Sequence, residues 1–345
     1  MINTAEEYIN ERYTPLEKDL LEKTARRLGQ NFSSRKTAVL NRWQKIIAAA
    51  VKEQEKIQIP CGYISLSLLN TSIMAKNPRW QMDFYNSQWV YGESWYRECF
   101  KADFLFEDWE DFCRQALDDG FYIRRIITSS SIRSLFWETA DKLAYLAACY
   151  AKYYAADLGD MPEIKSLVKE DAMYVTCGVY LDWQERIYGI LPQLDLTDVP
   201  DNTETTFREF KGEIYEAEAF IDLDLSHCRF IGCKFIGSIF NRIALKDAYF
   251  DSCAFTDVNF VETKISGCVW SRCRFQNCLW QNSGTASEGD EYFAEGEIKD
   301  SVIVGMQIIN SEFSHFMLTR CQIKDLKLIG SRADHSSLMA YMEAG

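Results

Sequence analysis

Between Phe220 and Trp280 every fifth residue is large and apolar: Phe220, Leu225, Phe230, Phe235, Phe240, Leu245, Phe250, Phe255, Phe260, Ile265, Trp270, Phe275 and Trp280. Two residues ahead of most of them stands something small or apolar: Leu223, Cys228, Cys233, Ser238, Ile243, Ala248, Cys253, Val258, Thr263, Cys268, Cys273 and Cys278. A helix cannot carry this pattern. At about 100° per residue, five residues advance roughly 500°, so the large side chains never share a face. A flat strand repeats every two residues and fails as well. The observed steps alternate between two and three. A step of two puts the small and the large residue on one face of a short extended segment, and a step of three requires a bend. If each bend is about a right angle, four segments close a square coil of about twenty residues. Successive coils then stack through strand hydrogen bonds roughly 4.8 Å apart, with large and small residues inward.

These residues resemble the pentapeptide-repeat family, whose repeats centre on Leu or Phe with a small residue two positions before. The resemblance implies a right-handed quadrilateral β-helix. Cysteine is used here where that family more often has alanine; a thiol is small, soft and easily buried, so it should pack. Burying each Phe is worth about 1.5–3 kcal/mol before ordering entropy is subtracted. After Trp280 the segment QNSGTASEGDEYFAEGE is polar and acidic, and predicts a loop over 282–296 inserted in the coil. The period then resumes at Ile298, Ile303, Ile308, Phe313, Leu318, Ile323 and Leu328, with Gly296, Ser301, Met306, Ser311, Phe316, Cys321 and Leu326 as inward partners. The step from Trp280 to Ile298 suggests thirteen extra residues at one corner, and the central positions amount to about five coils. Met306 and Phe316, large residues at small positions, predict a wider or distorted end.

The chain has 345 residues and twelve cysteines. Seven of these, Cys228, Cys233, Cys253, Cys268, Cys273, Cys278 and Cys321, occupy the inward small position. Packing selects such a period; a metal cage would not respect it. Cys233, Cys253 and Cys273, twenty apart, should form a ladder on one wall, while Cys268, Cys273 and Cys278 fall on different walls. The remaining five, Cys61, Cys99, Cys113, Cys149 and Cys177, show no ligand spacing. Free buried thiols fit a reducing compartment. The first residues, MINTAEEYINERY, are polar and unlike a secretory signal. The apolar run from Ala144 is too short to span a bilayer. The expectation is a cytoplasmic protein that engages no membrane. A net charge of −13 argues against a phosphate-binding surface, hence against direct nucleic-acid binding.

The region before the repeats predicts an α+β domain over 1–190. Helices are expected within 3–56, over 104–118, from Ser129 to Ala156, and from Pro162. Strands are expected in GYISLSLL and RWQMDFY, extending to about 90, and in MYVTCGVYL. Trp80, Met82 and Phe84 then share one strand face, and Gln81, Asp83 and Tyr85 the other. Residues 191–209, with two prolines and several acids, read as a linker, 210–332 as the coil, and 333–345 as a C-terminal capping segment forming a short helix. Solenoid ends need covering, so the N-terminal domain and this tail are the expected caps. Some family members dimerise through a C-terminal helix, which Leu338, Met339 and Met342 could also supply, giving a homodimer.

The three histidines, His227, His315 and His335, lie beyond the first domain. Histidine-based catalysis and histidine–metal sites are therefore excluded there. His227 and His315 fall two residues after a central position, on outward corners, and read as solvated. No Walker loop and no GxGxxG is present. The acids Asp108, Glu110, Asp111, Asp118 and Asp119 read as a solvated helix face. The aromatic stretch between Trp80 and Trp95 reads first as core, and could line a pocket or a protein-binding surface. Its candidate residues are Asp83, Tyr85, Trp89, Tyr91 and Trp95. No catalytic residue, cofactor or metal is expected. The leading expectation is a non-enzymatic scaffold that binds another protein. Two alternatives stand beside it. One is an enzyme activity in the N-terminal domain. The other is implied by the family resemblance, some of whose members mimic DNA and bind type II topoisomerases such as gyrase. Against mimicry, Arg229, Lys234, Arg242, Lys246, Lys264, Arg272 and Arg274 interrupt any acidic stripe.

Overall fold

The computed structural model describes residues 4–30, 32–75, 77–102, 105–117, 126–155, 157–200, 203–285 and 296–341. The chain divides into two compact units, Met1–Gly189 and Ile190–Gly345.

The first unit combines helices with a mixed sheet. Its helices are α1 (Ala5–Tyr8), α2 (Thr14–Gly29), α3 (Phe32–Ile57), α4 (Asn70–Met74), α5 (Trp109–Leu117), α6 (Ser129–Ala155) and α7 (Pro162–Ser166). Proline opens α7 at the first position, where its missing N–H costs nothing; α2 instead continues from α1 through a π-helical turn, Ile9–Tyr13, and Pro15 is its second residue. The strands are β1 (Cys61–Leu68), β2 (Arg79–Tyr85), β3 (Tyr96–Lys101), β4 (Lys169–Val179) and β5 (Gln184–Ile190), in the order β3-β2-β1-β4-β5. β2 runs antiparallel to β1 and β3, and β4 runs parallel to β1. The strand expected to continue to about 90 ends at Tyr85. The chain instead turns through Trp89–Tyr91 and returns as β3, which the charged residues of YRECFK concealed. Ile64, Leu66, Leu68, Met82, Phe84, Val175 and Cys177 form the buried apolar face. On it, Trp43 and Ile47 of α3 meet Ile64, Leu66, Met82 and Val175.

In the second unit, three parallel sheets of six short strands each form three walls. Isolated bridges through Asp224, Ala244, Lys264, Gly284, Glu312 and Arg332 make the fourth. This is the quadrilateral β-helix that the five-residue period predicts. The stack holds six coils rather than about five, because Phe210, Tyr215, Thr285 and Ala333 also fill central positions. The insertion is correspondingly shorter than thirteen. Trp270 pairs with Ile298, twenty-eight residues on, where Phe250 pairs with Trp270 at twenty, leaving 28 − 20 = 8 extra residues. Of the loop expected over 282–296, residues 286–295 lie outside the described residues.

Aromatic rings stack up the walls. Phe230 and Phe250 lie 4.6 Å apart and 6° from parallel, and Phe255 and Phe275 lie 4.9 Å apart at 6°. Each bend is made two residues after a central position, where the backbone turns left-handed: Asp222, His227, Arg242, Asp247, Asn277 and their equivalents all have φ near +55°. Asn, Asp, His and Gly tolerate this conformation best, and His227, His315 and His335 all sit at such corners. Phe316 fits at a small position because Gly296 lies beneath it; a Cβ there would come within 2.7 Å of the ring. Cys321, Leu318 and Ile323 of the last coil are only half-buried.

The segment read as a linker packs on the coil. Leu196 is buried in its core, with Leu194 and Val199 against it, and the Thr205 hydroxyl donates to the Asp224 carbonyl. At the other end Ser337–Tyr341 forms a short helix of the 3-10 type. Leu338 is buried in the core, and the Ser337 hydroxyl accepts from the Leu318 N–H at 2.6 Å. Leu338 is thus spent on its own coil; Met339 is exposed, and Met342 lies outside the described residues. Among the described residues no helix is long and apolar enough to cross a membrane.

Candidate functional site

Strand alternation puts Gln81, Asp83 and Tyr85 on the sheet face opposite Trp80, Met82 and Phe84. The register extends this into rows. Arg97, Asp83, Ser65 and Thr176 lie side by side across four strands, next to a row of Cys99, Gln81, Ser67 and Gly178. Asp83 is fully buried. Arg97 Nε donates to its Oδ1 at 2.5 Å, and Gln81 Nε2 donates to Oδ2 at 2.6 Å. The hydrogen bond to Asp83 holds the Arg97 guanidinium above its ordinary pKa. Thr176 Oγ1 donates to Ser65 Oγ at 3.1 Å or to Gln184 Oε1 at 2.9 Å, and Gln184 Nε2 reaches Ser67 Oγ at 3.2 Å. Burial, and then the Asp83 charge, pushes the Tyr85 phenol up to about 12.

The aromatic candidates divide. Trp89 closes this polar face: its ring stacks on Tyr63 at 5.1 Å, and Nε1 donates to Ser65 Oγ at 2.9 Å. Tyr91 points outward, 94% exposed. Trp95 packs on Phe84 at 5.4 Å, a residue of the apolar face. So Asp83, Tyr85 and Trp89 come together, and Tyr91 and Trp95 do not join them. Both Asp83 oxygens are engaged, one by each of these donors. Of the acids read as a helix face, Asp108 receives Arg27 Nη1 at 2.5 Å and Asp111 receives Arg114 Nη2 at 2.5 Å; Asp118 and Asp119 lie outside the described residues. Among the described residues no cluster of His, Cys, Asp or Glu is arranged to hold a metal.

On the coil, the inward cysteines do more than fill space. Cys228, Cys233, Cys253, Cys273, Cys278 and Cys321 each direct Sγ at a backbone carbonyl of the coil below, 3.1 to 3.5 Å away. Ser238, Thr263 and Ser283 do the same with hydroxyls at 3.2 Å. A shared preference for Cys, Ser and Thr at one repeat position is the sequence signal for this contact, and a reading based on size alone overlooks it. Cys268, Cys273 and Cys278 stand before central residues of three different walls.

Outside, corner residues of successive coils pair by charge: Arg242 with Asp222 through two contacts of 2.6 Å, and Arg320 with Asp300 at 2.6 and 2.8 Å. Arg272, at another corner, pairs with Asp251 at the end of the strand Tyr249–Asp251 one coil earlier. His227 is half-buried rather than solvated; it stacks on Phe207 at 4.4 Å, with Nδ1 3.6 Å from Asp247. Against this charged background Ile214, Ile221, Ile236 and Ile239 stand out. They are exposed by 39–56% and lie on two adjoining walls of the first two coils.

Short parallel strands, a left-handed corner every fifth residue and a core of stacked central residues define the second unit as a pentapeptide-repeat solenoid. Residues 223–303 match the family model of the pentapeptide repeat region, and the N-terminal region matches none. No curated protein matches the chain. Among solved structures, full-length QnrB1, a plasmid-mediated fluoroquinolone resistance protein, is 17% identical over 40% of this chain and 92% of its own, with a TM-score of 0.23. A pentapeptide repeat protein from the Arabidopsis thaliana thylakoid lumen is 11% identical over 31% of this chain and 66% of its own, TM-score 0.23. Rfr23 from the cyanobacterium Cyanothece 51142 is 13% identical over 39% and 90%, TM-score 0.14. Overlaps this slight say nothing of what the present chain does.

Proposed function

We propose that this protein is a non-catalytic scaffold whose coil docks another protein. The observation that carries the reading is the group of exposed isoleucines, Ile214, Ile221, Ile236 and Ile239, gathered on two adjoining walls of the first two coils. An apolar patch with a polar rim is the usual anatomy of a protein interface. The rim in the first coil is acidic, with Glu213, Glu216 and Glu218 all exposed or half-exposed. The partner this fits carries an apolar anchor flanked by basic side chains. The Asp–Arg pairs along the corners cancel local charge, which favours a protein-docking scaffold over a duplex-like acidic stripe. The burial of Asp83 and its bonds to Arg97 and Gln81 support a structural role for it in the first unit. Free, buried thiols suit a reducing, cytoplasmic setting.

The test uses the full chain as bait in its native cell, beside an Ile236→Glu/Ile239→Glu variant. Wild type should retain a partner that the variant retains at least tenfold less, with both proteins giving the same circular dichroism. Equal retention by both, or none by wild type, overturns the reading.

A further inference from the structure

The first unit contains a cavity whose lining shares no residue with the isoleucine patch of the coil. It measures about 320 Å³ and lies between α2, α3, α6 and the apolar sheet face. That volume is at the lower end of small-molecule pockets, which run from about 300 to 1,000 Å³. The walls are apolar: Leu28, Val39, Trp43, Leu66, Trp80 and Phe100. Two arginines of α3 also line it, Arg35 and Arg42, seven residues apart and therefore on one helix face.

Neither arginine is saturated. Arg35 Nε donates to the Gln30 carbonyl at 3.2 Å, and Arg42 Nη1 donates to the Lys101 carbonyl at 3.3 Å. The Arg42 guanidinium also rests over the Phe100 ring at 5.5 Å. Among the described residues, neither has a carboxylate within ion-pair distance. Glu107, the acid of the lining, is held by Arg27 at 3.3 Å.

A second observation is independent of these cations. Tyr154 lines the same cavity and is 4% exposed, yet among the described residues its hydroxyl has no hydrogen-bond partner. A buried polar group left unsatisfied costs about 1–3 kcal/mol, and native structures seldom tolerate one without a reason. Its neighbour Tyr150 shows the ordinary solution, donating to the Ala25 carbonyl at 3.0 Å. Arg35 is close enough for its charge to act on the Tyr154 phenol. The orphaned donor and a guanidinium with no carboxylate partner among the described residues therefore serve the same end of the cavity.

We propose that this cavity binds a small carboxylate with an apolar alkyl or aryl body, the carboxylate held by Arg35, Arg42 and the Tyr154 hydroxyl and the body seated against Trp43, Trp80 and Leu28. A guanidinium offers paired N–H donors that match a carboxylate, and a phenol adds a third. An uncharged ligand of the same shape would leave those donors unmet.

Isothermal titration of the full-length protein with octanoate, 3-phenylpropionate and the uncharged octanol provides the test. At least one carboxylate should bind saturably at one site per chain, at least fivefold tighter than octanol. Arg35→Ala/Arg42→Ala should weaken that binding at least tenfold, and Tyr154→Phe about three- to tenfold. Ala147→Trp, which fills the cavity, should abolish it. Near-UV circular dichroism checks that each variant folds; Tyr154→Phe and the exposed Arg42→Ala alone serve if the others do not. Failure of both carboxylates to bind wild type overturns the proposal, as does binding that octanol equals or that the folded variants leave unchanged.

Discussion

Cys253 shows why thiols recur inside this coil. Its Sγ faces the Phe230 carbonyl at 3.3 Å and the Asp251 carbonyl at 3.4 Å, so the side chain must be small and must also donate. Serine meets both demands at the same position of other repeats. Cys253→Ser should therefore change stability by less than about 1 kcal/mol in chemical denaturation, whereas Cys253→Leu should lose about 1–3 kcal/mol by overpacking. The thiols also set an alkaline limit. Burial raises Cys228 from 9.0 to about 12, and Cys278 from 9.0 to about 11. An unfolded chain releases these protons near pH 9 while the folded one keeps them. The stability they contribute is complete below pH 9 and is lost as pH rises from there through 11 and 12. Melting temperature should fall over that window, and Cys228→Ala with Cys278→Ala should make the fall shallower.

Within the sheet of the first unit, Asp83 depends on a neighbour from a strand that periodicity missed. The alternation of RWQMDFY placed Asp83 and Tyr85 on one face, but Arg97 belongs to YRECFK, whose exposed charged residues mask its strand character. Arg97→Ala would leave the buried carboxylate with Gln81 alone. Because Arg97 is itself 47% exposed, the loss should be about 1–2 kcal/mol, below the full value for a bond to a buried charge. Equilibrium unfolding of the full chain measures it. Here the limits of the sequence reading have a physical cause. Repeats announce themselves because every coil solves the same packing problem, so the central and small positions, the walls and the corners could all be read from spacing. Thr285 escaped because a polar residue fills an apolar slot, which lengthened the inferred insertion; with Phe210, Tyr215 and Ala333 it makes up the sixth coil. The polar network around Ser65, Asp83 and Gln184 depends on strand order, which local pattern does not encode. The Tyr154 cavity depends on what three helices leave unfilled against a sheet, and no spacing reports that.

For the whole molecule, two units with separate cores should melt separately. Calorimetry of the full chain should resolve two transitions, and Ile236→Glu should leave both in place. The six stacked coils carry a further consequence at their C-terminal end. Each interior coil satisfies its backbone groups on the coil before and the coil after, and among the described residues the last coil is followed by the 3-10 turn around Leu338. The strands Gln322–Lys324 and Lys327–Ile329 border that end, bearing Lys324 and Lys327, and charged side chains at a sheet border discourage pairing with another chain. Replacing Lys324 and Lys327 with valine while deleting residues 336–345 should turn a soluble species into one that adds copies end to end, seen as concentration-dependent growth in light scattering. A repeat that can extend itself indefinitely must be told where to stop, and Leu338 and the two lysines stand at the border where such growth would continue.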